Sequence, residues 1–180
     1  MNDMLTALEI KQILKQERLF ISKRRGQNFL VDSWVQKKII QAIEINENDL
    51  ILEIGPGLGA LTESLVQDAE SVIAVEKDRG LARTLKNVLS ANPNLQIICR
   101  DILEVDFKKL TNKKITVVGN LPYCLSSAIV GYLLERQREM IKDIFITVQY
   151  EVGKRLIAKG ATKDYSSISV LVQYFTKLMY

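Results

Sequence analysis

The stretch Leu50 to Gly59, LILEIGPGLG, constrains the fold more than any other part of the chain. Leu50, Ile51, Leu52 and Ile54 form an apolar run too short for a helix, and a glycine-rich turn closes it. Such a run reads as a strand covered on both faces, as in a parallel sheet. Gly55-Pro56-Gly57-Leu58-Gly59 then turns the chain into a helical segment from Ala60 to Gln67. Tight strand-to-helix turns often need positive φ, and a side chain would keep a ligand away from the backbone, so glycine suits both demands. Free N–H groups at the start of the next helix favour a polar or anionic ligand group. The spacing is G-x-G-x-G. It lacks the G-x-G-x-x-G of a dinucleotide fingerprint and the Lys-Ser/Thr of a phosphate-binding loop. By itself the turn is equally compatible with a βα connection that binds nothing.

The rest of the chain repeats the alternation. Val72 to Glu76, Leu95 to Cys99, Ile115 to Val118 and Ile144 to Val148 read as further strands. Helices are predicted from Asp78, with Leu81, Leu85, Val88 and Leu89 inward, from Ser126 or Ser127 to Leu134, over Glu151 to Ala158 and over Ser166 to Phe175. A short polar segment follows Asp101, and the last residues read as the start of another strand. Ahead of the first strand, Leu5 to Leu19 has near-helical apolar spacing. A second helix, capped by Asp32 or Ser33, buries Trp34, Val35, Ile39, Ile40 and Ile43. The pattern predicts an α/β fold with a mostly parallel, doubly wound sheet, whose ligands bind beyond the carboxyl ends of the strands.

Charge and residue usage narrow the chemistry. The 180 residues include no histidine, which excludes Ser-His-Asp and Cys-His catalysis and H-E-x-x-H metal sites. The two cysteines, Cys99 and Cys124, stand apart and not in metal-type pairs, so neither a metal site nor a disulfide framework is expected. No apolar run approaches a membrane span, and the N-terminus lacks a signal-peptide pattern; the expectation is a cytoplasmic protein with no membrane partner. Between Glu9 and Arg25 six basic residues, including Lys23, Arg24 and Arg25, face two acidic ones, an excess equal to the whole chain's net charge of +4. A basic arm of this kind suits a polyanion such as nucleic acid, although it also reads as a solvated helix end.

The strand ends carry the groups that would meet a ligand. Glu76 lies 21 residues after Gly55, where an acid can accept hydrogen bonds from ribose hydroxyls. Asp101, after the third strand, can accept from an adenine amine or simply cap a turn. No basic residue lies in the glycine turn to hold phosphates. Adenine, ribose and no long phosphate tail describe S-adenosylmethionine better than NAD or ATP. Asn120-Leu121-Pro122-Tyr123 ends the fourth strand. Its amide oxygen and a carbonyl held outward beside proline can both accept from an exocyclic amine, and Tyr123 can stack on a base.

GQNFL at Gly26 to Leu30, EIGPGLGALT at Glu53 to Thr62, VEKD at Val75 to Asp78, RDIL at Arg100 to Leu103 and GNLPY at Gly119 to Tyr123 together resemble the small-subunit ribosomal RNA adenine dimethyltransferases. The resemblance runs from about Lys23 to the C-terminus. It implies a Rossmann-like S-adenosylmethionine-dependent methyltransferase domain at residues 31–180, preceded by a basic helix and arm at 1–30. In this family a small helical domain follows, and this chain stops at Tyr180 before reaching it. The resemblance further implies dimethylation of two adjacent adenines near the 3′ end of small-subunit rRNA, with that rRNA or an immature small subunit as partner. A monomer is expected.

Residue by residue, the resemblance implies that Asn28 and Leu30 touch the donor and that Gly55 and Gly57 admit its methionine part. It gives Glu76 the ribose, Asp101 the adenine, and Asn120 a place between donor and target amine. Leu121 or Pro122 would offer a carbonyl to that amine, Tyr123 would stack on the target base, and Lys23, Arg24 and Arg25 would grip RNA. One departure stands out: Cys124 occupies a position where the family usually has Asn. Three rival readings share parts of the pattern: a large-subunit rRNA adenine methyltransferase of the macrolide-resistance type, a non-catalytic RNA-binding assembly factor on the same fold, and a Rossmann oxidoreductase. GQNFL and GPGLGALT favour the small-subunit family over the first, and the intact NLPY argues against the second. The glycine spacing argues against the third.

Overall fold

A computed structural model describes residues 5–19 and 29–179. Its centre is a five-stranded, all-parallel sheet in the order β3-β2-β1-β4-β5. The strands are β1 (Leu50–Ile54), β2 (Ser71–Glu76), β3 (Leu95–Cys99), β4 (Ile115–Asn120) and β5 (Ile141–Thr147). The helices are α1 (Ala7–Gln16), α2 (Ser33–Ile43), α3 (Thr62–Asp68), α4 (Arg79–Val88), α5 (Ser126–Tyr132), α6 (Tyr150–Leu156) and α7 (Ser167–Phe175).

Strand alternation sorts these helices into two layers. Leu50, Leu52 and Ile54 point to one face, where α5, α6 and α7 pack with Phe107. Ile51, Val72 and Val118 point to the other, against Ile43, Leu61 and Leu65, while Ala74 meets Leu85 of α4 and Leu89 just after it. A strand sandwiched this way must be apolar on both sides, and β1 is buried at every residue. The outer strand β5 places Lys142 and Asp143 in solvent, charges that discourage edge-to-edge pairing.

Short-range chemistry fixes the helix starts. Asp32 accepts from the Trp34 and Val35 N–H groups, and Asp78 from those of Gly80 and Leu81. Such caps contribute about 1 kcal/mol each. Thr6 and Glu9 form a reciprocal capping box at α1. A 10-residue helix is marginal alone. What holds α1 is burial of Ile10 and Leu14 against Leu58 and Leu81, at roughly 1.5–3 kcal/mol per side chain.

Several elements differ from the sequence pattern. Trp34 is 66% exposed, with Lys38 over its ring. It lies off the stripe formed by Val35, Ile39 and Ile43 because each helical residue turns by about 100°. Val88 flanks the α4 stripe in the last turn and is 58% exposed. The segment after Asp101 is not merely polar: it holds two single 3₁₀ turns, Ile102–Glu104 and Phe107–Lys109, and buries Phe107 completely. Helical structure after α5 continues through a π turn, Leu133–Gln137, and a 3₁₀ turn, Arg138–Met140. Gln137 explains the irregularity, since it accepts from the Phe107 N–H and donates to the Tyr132 hydroxyl. β5 starts at Ile141, where a register shift between Ile115 and Thr116 accommodates it. Residues 176–179 form no strand.

Candidate active site

The glycine turn is built on left-handed backbone. Gly55 and Gly57 have φ of +68° and +60°, a region side chains disfavour. Position 55 also faces open space, with nothing within 4 Å of where a Cβ would stand. At position 57 a Cβ would come within 3.2 Å of the Phe29 ring, which lies across the turn. The Gly55 N–H donates to the Val75 carbonyl at 2.9 Å, tying the turn to the end of β2.

That strand end delivers Glu76, buried and oriented by two backbone donors, Asp78 N–H at 2.8 Å and Gly57 N–H at 3.2 Å. Burial raises its carboxyl above the ordinary value, against the opposing pull of these N–H groups. A second carboxylate, Glu53, stands behind it in β1 and accepts from the Thr62 hydroxyl at 2.6 Å. Burial pushes Glu53 up to about 7, with Thr62 opposing and the charge of Glu76 adding to the rise.

A carboxyl whose folded pKa is raised loses stability as pH climbs from its unfolded value through its folded one. For Glu53 the window runs from 4.5 to about 7, and the loss amounts to about 3 kcal/mol. Glu53→Gln is therefore expected to lose less stability than the wild type between pH 5 and pH 8 in urea denaturation. Equal losses in both proteins would refute this role for Glu53.

Asp101 follows β3 and lines the same space. One oxygen pairs with the Lys77 ammonium and the other accepts from the Leu103 N–H at 3.1 Å. Burial alone would raise this carboxyl, but Lys77 and the Leu103 N–H outweigh it and hold it below the ordinary range.

At the end of β4, Gly119 is required because a Cβ would lie 2.9 Å from the Ile54 carbonyl. Asn120 accepts through Oδ1 from the Thr147 hydroxyl at 2.7 Å, across the β4–β5 pair. Thr147 also accepts the Leu121 N–H on its carbonyl at 3.0 Å. The Pro122 carbonyl is already engaged, receiving the Leu125 N–H at 3.0 Å and the Ser126 hydroxyl at 2.9 Å. Ser126 is thereby buried inside the turn, and it does not cap α5 through its side chain. No such bond among the described residues ends on the Leu121 carbonyl.

These elements enclose one cavity of about 550 Å³, within the range of small-molecule sites. Leu30, Gly55, Gly57, Glu76, Asp101, Asn120 and Pro122 all line it. The Leu121 side chain is buried in the core instead, and Tyr123 stands 41% exposed; neither forms a wall. Asn28, Lys23, Arg24 and Arg25 lie outside the described residues. Glu53, Gln36, Phe29 and Lys77 are walls to which the motifs assigned no role. Phe29 belongs to GQNFL, and a buried acid in an otherwise apolar strand was a readable signal for Glu53. Thr147 had none, because only the sheet order sets it beside Asn120. Among the described residues no cluster of three or more His, Cys, Asp or Glu side chains could hold a metal ion, and no helix is long and apolar enough to cross a membrane.

The chain matches the model of the ribosomal RNA adenine dimethylase family over residues 20–180. It is 46% identical over 176 residues to the ribosomal RNA small subunit methyltransferase A of Ureaplasma urealyticum, an alignment covering 93% of this chain and 62% of that protein. It is 38% identical over 171 residues to the protein of the same name from Alkaliphilus oremlandii, covering 92% of this chain and 59% of that one. It thus spans less than two thirds of the length of these curated relatives. A dimethyladenosine transferase from Plasmodium falciparum superposes with a TM-score of 0.71 at 27% identity, over 81% of this chain and 52% of the other. The 23S rRNA methyltransferase ErmE does so with a TM-score of 0.65 at 32% identity, over 71% and 50%. The strand-end motifs and the parallel sheet that carries them therefore have one shared origin: the chain belongs to the ribosomal RNA adenine dimethylase family.

Proposed function

We propose that this chain is the catalytic part of an enzyme that dimethylates the exocyclic amines of two adjacent adenines near the 3′ end of small-subunit rRNA, using S-adenosylmethionine. The observation that carries this reading is the convergence of Glu76, Asp101 and Asn120, from three different strand ends, on one cavity. The donor set fits an adenosyl group. Carboxylates suit ribose hydroxyls and an amine, the open backbone at Gly55 admits a close approach, and no arginine or lysine stands in the turn for phosphates.

In this proposal Glu76 holds the ribose, Asp101 the adenine, and Gly55 and Gly57, with Leu30 and Asn28, the methionine part. When bound, the donor supplies a methyl group already activated by its sulfonium, so the protein chiefly positions the partners. Asn120 Oδ1 and the Leu121 carbonyl accept the two N–H groups of the target amine. This favours a tetrahedral nitrogen whose lone pair leaves the ring, and no histidine base is then needed. The Pro122 carbonyl already receives two donors, which favours Leu121 for the second acceptor role. Tyr123, half in solvent, stacks on the base after it leaves its helix. Lys23, Arg24 and Arg25 contact the RNA backbone.

Labelled donor, offered with immature small subunits and with a large-subunit rRNA fragment, tests the reading. Label in adenines of the small subunit is expected. Label in the large-subunit fragment alone would reassign the substrate, and no transfer to either would overturn the enzyme assignment.

Thr147 sets the direction of the Asn120 amide. Thr147→Val is expected to lower kcat about tenfold, the value of one hydrogen bond that orients a reacting group. Thr147→Ser should restore it, and binding of S-adenosylhomocysteine should hold in both. A valine variant with wild-type kcat would remove Thr147 from the account.

A further inference from the structure

The family model begins at residue 20, so α1 lies wholly outside it. Yet Ile10 of α1, and Leu5 just before it, line the same cavity as Glu76 and Asp101. Ile10 and Leu14 are buried against Leu58, inside the glycine turn, and Leu81, in the first turn of α4. Leu19 fills the space that a Cβ on Gly80 would need, so the chain just beyond α1 sits directly on the start of α4. Glu17 reaches Arg83 across the same contact at 3.8 Å, an exposed pair that adds little energy. The charge of the N-terminal region suggested an RNA grip. The packing gives its apolar face a separate task.

The geometry points to α1 as a structural part of the donor site, a wall that lies outside the strand-end motifs. The inference rests on the S-adenosylmethionine reading above. The donor has one flat apolar surface, its purine, and the strand-end carboxylates address only polar edges. Ile10 and Leu5, beside Leu58 and Leu81, supply apolar surface against which that ring can pack. Covering this side also removes water from around Glu76, which strengthens a hydrogen bond from its carboxylate to a ribose hydroxyl.

Two measurements on the full chain test this. In calorimetry, Ile10→Asp is expected to weaken S-adenosylhomocysteine binding about tenfold or more, the effect of losing one buried aliphatic contact. Leu8→Asp, on the 66% exposed side of the same helix, should bind as the wild type does. In hydrogen exchange on the wild type, S-adenosylhomocysteine should slow the amides of residues 7–16, a readout that needs no variant to fold. Wild-type affinity in Ile10→Asp, or α1 amides indifferent to the ligand, would overturn the inference while leaving the donor reading in place. Absence of binding to the wild type would sink both.

Discussion

Asn120→Ala is expected to fold, to bind S-adenosylhomocysteine and to transfer essentially no methyl groups. Asn120 ends β4 at a position only partly buried, and its Oδ1 accepts from the hydroxyl of Thr147. Truncation leaves that hydroxyl without Oδ1, at a cost of about 1–3 kcal/mol, which the buried sheet around it can absorb. The catalytic cost is larger. In the proposed mechanism the amide oxygen is one of two acceptors for the target amine, and losing one preorganised partner of a reacting group costs about 10²–10³ in kcat. A chain without histidine has no imidazole to compensate. Single-turnover methyl transfer measures the loss, with calorimetry as the control for folding and donor binding. Turnover close to wild type in Asn120→Ala would defeat the assignment of the loop.

Glu76→Ala should abolish donor binding at ordinary concentrations. The carboxylate accepts the N–H groups of Asp78 and Gly57 and faces the cavity, so in the proposed donor site it would join the glycine turn to the ligand. Its removal strands two amides and deletes the acceptor proposed for the ribose hydroxyls. Hydrogen bonds to a charged group are worth about 1.5–3 kcal/mol each, so affinity for S-adenosylhomocysteine should fall about 10²-fold. Glu76→Gln keeps the shape and one acceptor and should lose about tenfold. Because part of the effect is local distortion of the turn, melting temperatures of both variants accompany the titrations. Unchanged affinity in a folded Glu76→Ala would contradict the ribose role.

What the sequence made legible follows from local physics. Each strand announces itself as a short apolar run ended by a turn, and Asp32 and Asp78 cap their helices where the pattern places them. The strand-end motifs were legible for the same reason: in a parallel sheet, chain order alone brings strand ends to one edge. What stayed hidden depends on neighbours far away in the chain. Thr147 meets Asn120 across 27 residues, and Gln137 meets Phe107 across 30. The fate of the Pro122 carbonyl turns on how α5 begins. Trp34 and Val88 show the limit of composition, since apolar residues on the wrong side of a helix stay in water. The N-terminal segment was legible as a charged amphipathic helix, but its apolar face needed the positions of Leu58 and Leu81 to acquire a meaning.

The central claim, that strand ends from one sheet hold an adenosyl donor beside Asn120, meets its most direct test in a crystal structure of the chain with S-adenosylhomocysteine. The account predicts ribose hydroxyls hydrogen-bonded to Glu76, the adenine edge at Asp101, and the sulfur turned toward Asn120. A ligand seated elsewhere, or one in this cavity with its ribose away from Glu76 and its sulfur away from Asn120, would contradict it.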